Sequence, residues 1–172
     1  MLSAIVLAPR TSTDVSRTQE AVVRSLGVLV GAAVADLVRD ACVVGPPGMR
    51  LESIADHAGC NLVEETNAAQ AMHDALMQAR CDHVFVLQGG YAPAFGFIDE
   101  MSDWLAARGA HDAAALRVEG ETALQRIFPT LAPVAGLVAR KMDCLGAGTA
   151  DAAALARKLR ARTLRSRARR LV

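Results

Sequence analysis

The sequence predicts an α/β protein built on a mostly parallel central sheet with helices on both faces. Three observations predict it. Short apolar runs of strand length alternate with longer segments of helical periodicity. Loops rich in glycine and proline follow those runs. The apolar content is aliphatic and rich in alanine, 52% hydrophobic residues against 3% aromatic, which suits helices packed on a sheet. At 172 residues the chain is long enough for one domain with a real core and too short for two full ones.

Taken in order, Leu2 to Ala8 is an apolar run ending at Pro9, as expected of a strand buried on both faces. Thr11 to Asp14 is a polar loop with helix caps, and Val15 to about Val38 reads as a helix through Val22, Val23, Leu26, Leu29 and Val30, with a break near Gly31. Asp40 to Val44 is a second buried strand, stopped by Gly45-Pro46-Pro47-Gly48. Leu51 to His57 is a short helix closed by Gly59, and Asn61 to Glu64 a short strand. Ala68 to Ala79 is a helix with Ala71, Met72, Ala75, Leu76 and Ala79 on one face. His83 to Leu87 is a strand ending at Gly89-Gly90. Phe97 to Arg108 is a helix with Ile98, Met101, Trp104 and Leu105 inward. Ala114 to Val118 reads as an outer strand, Gly136 to Lys141 as a short element, and the segment from Asp151 as a helix.

Charge is unevenly placed. Between Arg157 and Arg170 stand eight basic residues and no acid, which leaves 11 basic against 18 acidic residues in the rest of the chain. The sequence therefore divides into a mildly acidic domain over 1–150 and a basic helix or tail over 151–172. Leu155, Leu159, Leu164 and Leu171 among those arginines suggest a helix that packs its leucines on the domain and keeps its arginines in water. Peripheral contact with anionic lipid is the second reading. Nucleic acid is not expected as a partner: no recognition motif accompanies the basic run, and the aromatic side chains that stack bases are scarce. Cys42, Cys60, Cys81 and Cys144 form no CxxC pair, and His57, His73, His83 and His111 complete no zinc pattern. With no signal-peptide pattern and no stretch of about 20 apolar residues, a cytoplasmic protein with free thiols is expected.

In such a sheet a ligand site lies outside the carboxyl ends of the strands. Those ends are Ala8-Pro9-Arg10, Gly45 to Gly48, and Gln88-Gly89-Gly90-Tyr91. The same loops carry a resemblance, in order along the chain: Ser3-Ala4-Ile5-Val6-Leu7-Ala8-Pro9-Arg10, Gln19 to Leu26, Leu37 to Val44, Ile54 to Cys60, Asp82 to Leu87, Phe97 to Met101, and Gly136 to Lys141. From Leu2 to about Gly146 the sequence resembles a shortened family 2 glycosyltransferase, whose GT-A fold is a nucleotide-sugar-binding α/β sandwich. The resemblance implies a nucleotide-sugar donor as partner, direct displacement at the anomeric carbon by an acceptor hydroxyl, and nucleotide contacts at Pro9, Arg10, Gly45, Gln88, Gly89 and Gly90. Arg10 and Arg140, with Lys141 beside it near the same end of the sheet, are the candidates for phosphate.

The departures fall on the chemistry. Where the family has an acidic pair after the second strand, this chain has Gly45-Pro46-Pro47-Gly48. Where the family has an Asp-x-Asp motif holding a divalent cation, it has Gln88-Gly89-Gly90-Tyr91. Mg²⁺ and Mn²⁺ want anionic oxygen ligands, and Gln88 offers a single neutral carbonyl; no metal and no cofactor is firmly implied. Asp99 and Glu100 are the weak candidates for a base acting on the acceptor, although acids in a first helical turn are better explained by the helix dipole. Two other readings remain. One is a binding or scaffold protein that keeps the fold without catalysis. The other is a nucleotidyltransferase of the molybdenum-cofactor or isoprenoid type, against which Leu7-Ala8-Pro9-Arg10 lacks the glycines of the phosphate loop.

Overall fold

Leu2–Leu7 (β1) is buried along its whole length, because it sits in the middle of a sheet covered on both sides. Seven further strands join it: β2 (Val38–Gly45), β3 (Asn61–Glu64), β4 (His83–Gln88), β5 (Tyr91–Pro93), β6 (Ala114–Val118), β7 (Val134–Arg140) and β8 (Arg162–Arg170). The helices are α1 (Val15–Val34), α2 (Glu52–Ala58), α3 (Ala68–Gln78), α4 (Phe97–Ala106), α5 (Lys141–Ala147) and α6 (Ala152–Lys158). The computed structural model describes residues 1–11, 14–107, 112–120, 125 and 131–171; His111 and the expected helix end at Arg108 lie outside them.

The sheet runs β3-β2-β1-β4-β7-β6-β8-β5. The first four strands are parallel, as βαβ crossovers require. β7 then runs antiparallel between β4 and β6. β8 lies parallel to β6, and β5 pairs antiparallel with β8 at the edge.

Alternation along β1 builds two cores. Leu2, Ala4 and Val6 pack with Val22, Leu26 and Leu29 of α1 and with Phe97 and Met101 of α4. Ile5 and Leu7 pack with Ala71, Met72, Ala75 and Leu76 of α3 and with Leu155 of α6. The Phe85 and Phe97 rings meet at 4.9 Å and bind α4 to β4. Ser3, 1% exposed, is the polar exception in β1: its hydroxyl donates to Asp40 at 2.6 Å and accepts the Cys81 amide at 2.9 Å.

Three expectations are corrected. α1 ends at Val34 and the chain re-enters the sheet at Val38. β6 is an interior strand, flanked by β7 and β8, and not an outer one. The basic tail is not one helix: α6 stops at Lys158 and the arginine-rich segment is the nine-residue strand β8, with Leu164 and Ala168 buried. Of the leucines read as one helical face, Leu155 and Leu159 stand on α6 and its C-cap while Leu164 packs from β8, so the pattern spans two elements. Among the described residues, no helix is long and apolar enough to cross a membrane.

Candidate functional site

The carboxyl ends of β1, β2 and β4 open on a cavity of about 470 Å³ lined by Leu7, Ala8, Pro9, Arg10, Thr11, Val44 and Gln88, by Val134 of β7, and by the first turns of α3 and α6 through Ala68 and Ala150–Ala153. The lining forms because β1 and β4 are register neighbours, Leu7 opposite Gln88, so both chains leave the sheet side by side. Gly89 permits this closeness. Its amide donates to the Leu7 carbonyl at 2.7 Å, and a Cβ at position 89 would stand 2.9 Å from that same oxygen and 3.3 Å from Pro9 Cδ.

Arg10 leans across the sheet top to the loop after β3, donating to the carbonyls of Thr66 at 2.9 Å and Glu65 at 3.0 Å. Two N–H groups are thereby engaged, which orients the guanidinium at the cavity rim. Beneath it the Asn67 amide and the Thr66 hydroxyl hold the Glu65 carboxyl below its ordinary value, with the Arg10 charge adding to the effect. Asn67 in turn caps α3, accepting from Ala69 at 3.0 Å and Gln70 at 3.2 Å.

Among the described residues the cavity lining has one carboxylate, Asp151, which sequence reasoning passed over as a helix start. It caps α6 by accepting the Ala154 amide at 2.7 Å, and the legible signal was an aspartate directly before an alanine-rich helical run. A neutral Gln88 carbonyl and one capping carboxylate do not make a site for Mg²⁺ or Mn²⁺. Among the described residues, no three His, Cys, Asp or Glu side chains gather as metal ligands.

Of the nucleotide-binding candidates, the cavity brings together Pro9, Arg10 and Gln88. Gly89 lies beneath as the close-packed turn. Gly90, at φ +88, turns the other way: its amide donates to Ser25 Oγ at 3.0 Å, and Ser25 donates to the Tyr91 carbonyl at 2.9 Å, so this half of the loop belongs to α1. Gly45 is a packing position, where a Cβ would overlap the Leu51 side chain and stand 3.2 Å from Ala8 Cβ.

Arg140 is at the wrong end of the molecule. β7 runs antiparallel to β4 and pairs Arg140 with His83, the first residue of β4, so Arg140 and Lys141 lie at the amino ends of the parallel strands. Asp99 and Glu100 sit in the first turn of α4, on the opposite face of the sheet. Asp99 is exposed, and both Glu100 oxygens accept backbone amides of β8, from Arg165 and Ser166, each at 2.8 Å.

A larger apolar groove of about 730 Å³ lies between α1, α2 and the start of β2. It is at the amino ends of the strands, and its Asp40 and His57 are held by Ser3 and by the Ser53 carbonyl. The smaller cavity has the better claim, because it sits at the carboxyl ends with an arginine, an amide and a carboxylate converging.

No protein-family model matches the chain, and no curated protein does. Solved structures do. The chain superposes on a putative glucose-1-phosphate thymidylyltransferase of Bacillus anthracis with a TM-score of 0.63 at 8% identity, covering 98% of this chain and 89% of that one. The 4-diphosphocytidyl-2C-methyl-D-erythritol synthase of Anaerococcus prevotii gives 0.62 at 9% identity over 95% and 88%. The glucosyl-3-phosphoglycerate synthase of Mycobacterium tuberculosis, solved with Mn²⁺, uridine diphosphate and phosphoglyceric acid, gives 0.53 at 17% identity, covering 83% of this chain and 56% of that one. The chain has the nucleotide-diphospho-sugar transferase fold.

Proposed function

We propose that the protein binds a nucleotide-activated sugar in the cavity above β1, β2 and β4 and transfers the glycosyl group to an acceptor hydroxyl without a divalent cation. Arg10 carries this reading: an oriented guanidinium at the rim of a cavity at the carboxyl ends of the strands. Its remaining N–H groups suit a diphosphate, which arginine binds through paired charge-assisted hydrogen bonds. The acceptor oxygen attacks the anomeric carbon as the bond to the diphosphate breaks, and the nucleoside diphosphate leaves with the bonding pair. Arg10 stabilises the charge that develops there, and Asp151 takes the acceptor proton.

Nucleotidyl transfer is the second reading, favoured by one observation. The two nucleotidyltransferase structures are matched over 88% and 89% of their length, against 56% for the glycosyltransferase. The first loop speaks against it, since Leu7-Ala8-Pro9-Arg10 lacks the glycines that wrap a triphosphate.

Calorimetric and thermal-shift titration with UDP, GDP, their sugars and the nucleoside triphosphates, with and without Mn²⁺, tests the reading. A nucleotide that binds only the folded state raises the melting temperature by mass action. The expected result is stabilisation by a nucleoside diphosphate or its sugar, unchanged by Mn²⁺ and lost in Arg10→Ala. A preference for a triphosphate favours the second reading, and binding without turnover favours a non-catalytic binding protein. No response to any nucleotide at millimolar concentration overturns all three.

A further inference from the structure

We infer that Arg117 and Arg167 together form an oxyanion site, one strand beyond the nucleotide cavity, that receives the phosphate of a phosphorylated acceptor. Its assignment to an acceptor rests on the transferase reading above; the anion site stands on its own geometry.

β6 and β8 run parallel, and Arg117 and Arg167 are register partners, so both side chains leave the sheet from the same face. That face is the one the cavity occupies. Arg117 pairs on its other side with Val134, which lines the cavity. Its Nε donates at 3.1 Å to Thr163 Oγ1, and Thr163 stands opposite Ala115 in the core on the α3 and α6 side. Both arginines are also near the carboxyl ends of their strands, at the same end of the sheet as Arg10.

Among the described residues the two guanidiniums have no counter-charge. The described ion pairs, Arg24 with Glu20 and Arg162 with Asp112, lie elsewhere, and Glu119, two residues along from Arg117, pairs with neither. Arg117 is nonetheless held in place: besides Thr163, its Nη1 donates to the Ala132 carbonyl at 2.6 Å. Arg167 makes one long bond, from Nη1 to the Leu164 carbonyl at 3.4 Å. Partial burial lowers the Arg117 pKa, and the Arg167 charge lowers it further. An arrangement that fixes two like charges side by side is relieved by an anion between them.

A phosphomonoester fits better than a carboxylate. It carries about −1.5 to −2 near neutral pH and so offsets both positive charges, where a single carboxylate leaves one uncompensated. Its oxygens also match the fork of an arginine. The separation is suitable for an acceptor. β6 lies three strand spacings from β1, about 14 Å at about 4.8 Å per strand, which leaves room for a sugar between a donor diphosphate at Arg10 and a phosphate at Arg117–Arg167.

The test is titration of the whole protein with inorganic phosphate against sodium chloride of equal ionic strength, with acetate as the monocarboxylate comparison. Phosphate should stabilise the protein beyond the chloride control, and acetate should not. Arg167→Gln should weaken phosphate binding about tenfold or more while leaving the nucleotide response intact. Arg165→Gln, on the exposed neighbouring turn of the strand, should change neither. Should Arg167→Gln fold poorly, Arg117→Lys keeps the charge, removes the fork and should also weaken phosphate. The site is overturned if phosphate does no more than chloride, or stabilises both variants as well as it does the parent. Phosphate binding at Arg167 with no nucleotide response keeps the anion site and overturns its assignment to an acceptor.

Discussion

Glu100 accepts the backbone amide of Ser166 at 2.8 Å through one carboxylate oxygen, while the other takes that of Arg165 at the same distance. The contact sits where β8 carries extra residues against β6: Ala115 pairs with Thr163, but Arg117 pairs with Arg167. Leu164 to Ser166 therefore bulge out of register, and their freed amides need an acceptor that the ladder does not supply. The acid that sequence offered as a candidate base is the clamp of a bulge.

Glu100→Ala should therefore cost about 1–3 kcal/mol in urea unfolding, the penalty for leaving charge-bonded amides unpaired. Asp99→Ala, one residue away and exposed, should stay within about 0.5 kcal/mol. Equal effects would mean that the clamp contributes nothing.

The same clamp has a pH signature. Partial burial pushes the Glu100 pKa up, but the bonds from Ser166 and Arg165 and the Arg165 charge outweigh it, so the carboxyl lies below its ordinary value. A depressed folded pKa contributes stability that is present above the unfolded value and lost as pH falls through the folded one. The stability gap between the parent and Glu100→Gln should narrow on acidification below the ordinary carboxylate range. A gap independent of pH would refute the assignment.

Burial pushes the Cys42 and Cys144 thiols up from 9.0 to about 12. The thiolate is the nucleophile, so native-state alkylation at mildly alkaline pH should spare both and begin at Cys60, which is only half-buried and less shifted. For a raised folded pKa the stabilisation is complete below 9 and is lost as pH rises towards 12. Mass-spectrometric mapping of the first modified thiol, with unfolding measured across that range, checks both points.

Gly89→Ala should destabilise by about 1–3 kcal/mol, because the new methyl meets a backbone oxygen that cannot swing aside. It should also weaken nucleotide binding by forcing β1 and β4 apart under the cavity. Urea unfolding and nucleotide titration of one variant read the two effects. Unchanged stability would show that the backbone gives way easily.

Ser3→Ala should cost about 1–3 kcal/mol, since it strands the buried Cys81 amide and takes from the Asp40 carboxylate its shortest bond, leaving it the Arg80 amide at 3.4 Å. Combining it with Asp40→Asn should give much less than the sum of the single effects, as expected of partners in one network. Simple additivity in the double-mutant cycle would sink this account.

Much of the fold is legible in the sequence, and for specific reasons. β1 and β4 are continuous apolar runs, and α3 repeats Ala71, Met72, Ala75 and Leu76 at helical spacing, so existence and type follow from period. Pro9, Arg10 and Gln88 follow from one rule, that sites lie beyond the carboxyl ends of parallel strands. That rule misled at Arg140, because an apolar run does not show which way a strand points and β7 runs backwards. Gly45 and Gly90 read as ligand-facing glycines, but their neighbours Leu51 and Ser25 come from elsewhere in the chain. Arg117 and Arg167 were invisible as a pair, being 50 residues apart and joined only by strand pairing.

The position of β8 has a consequence for biosynthesis. Among the described strands β5 has β8 as its one neighbour, so Tyr91–Pro93 leaves the ribosome long before its partner exists. The half containing β1 to β4 can close on its own contacts as it emerges. The other half must wait, with β6 presenting an open edge, until Arg162–Arg170 arrives to pair with it. A ribosome that stalls between those points would release a nascent chain with a folded front and an unzipped, aggregation-prone back.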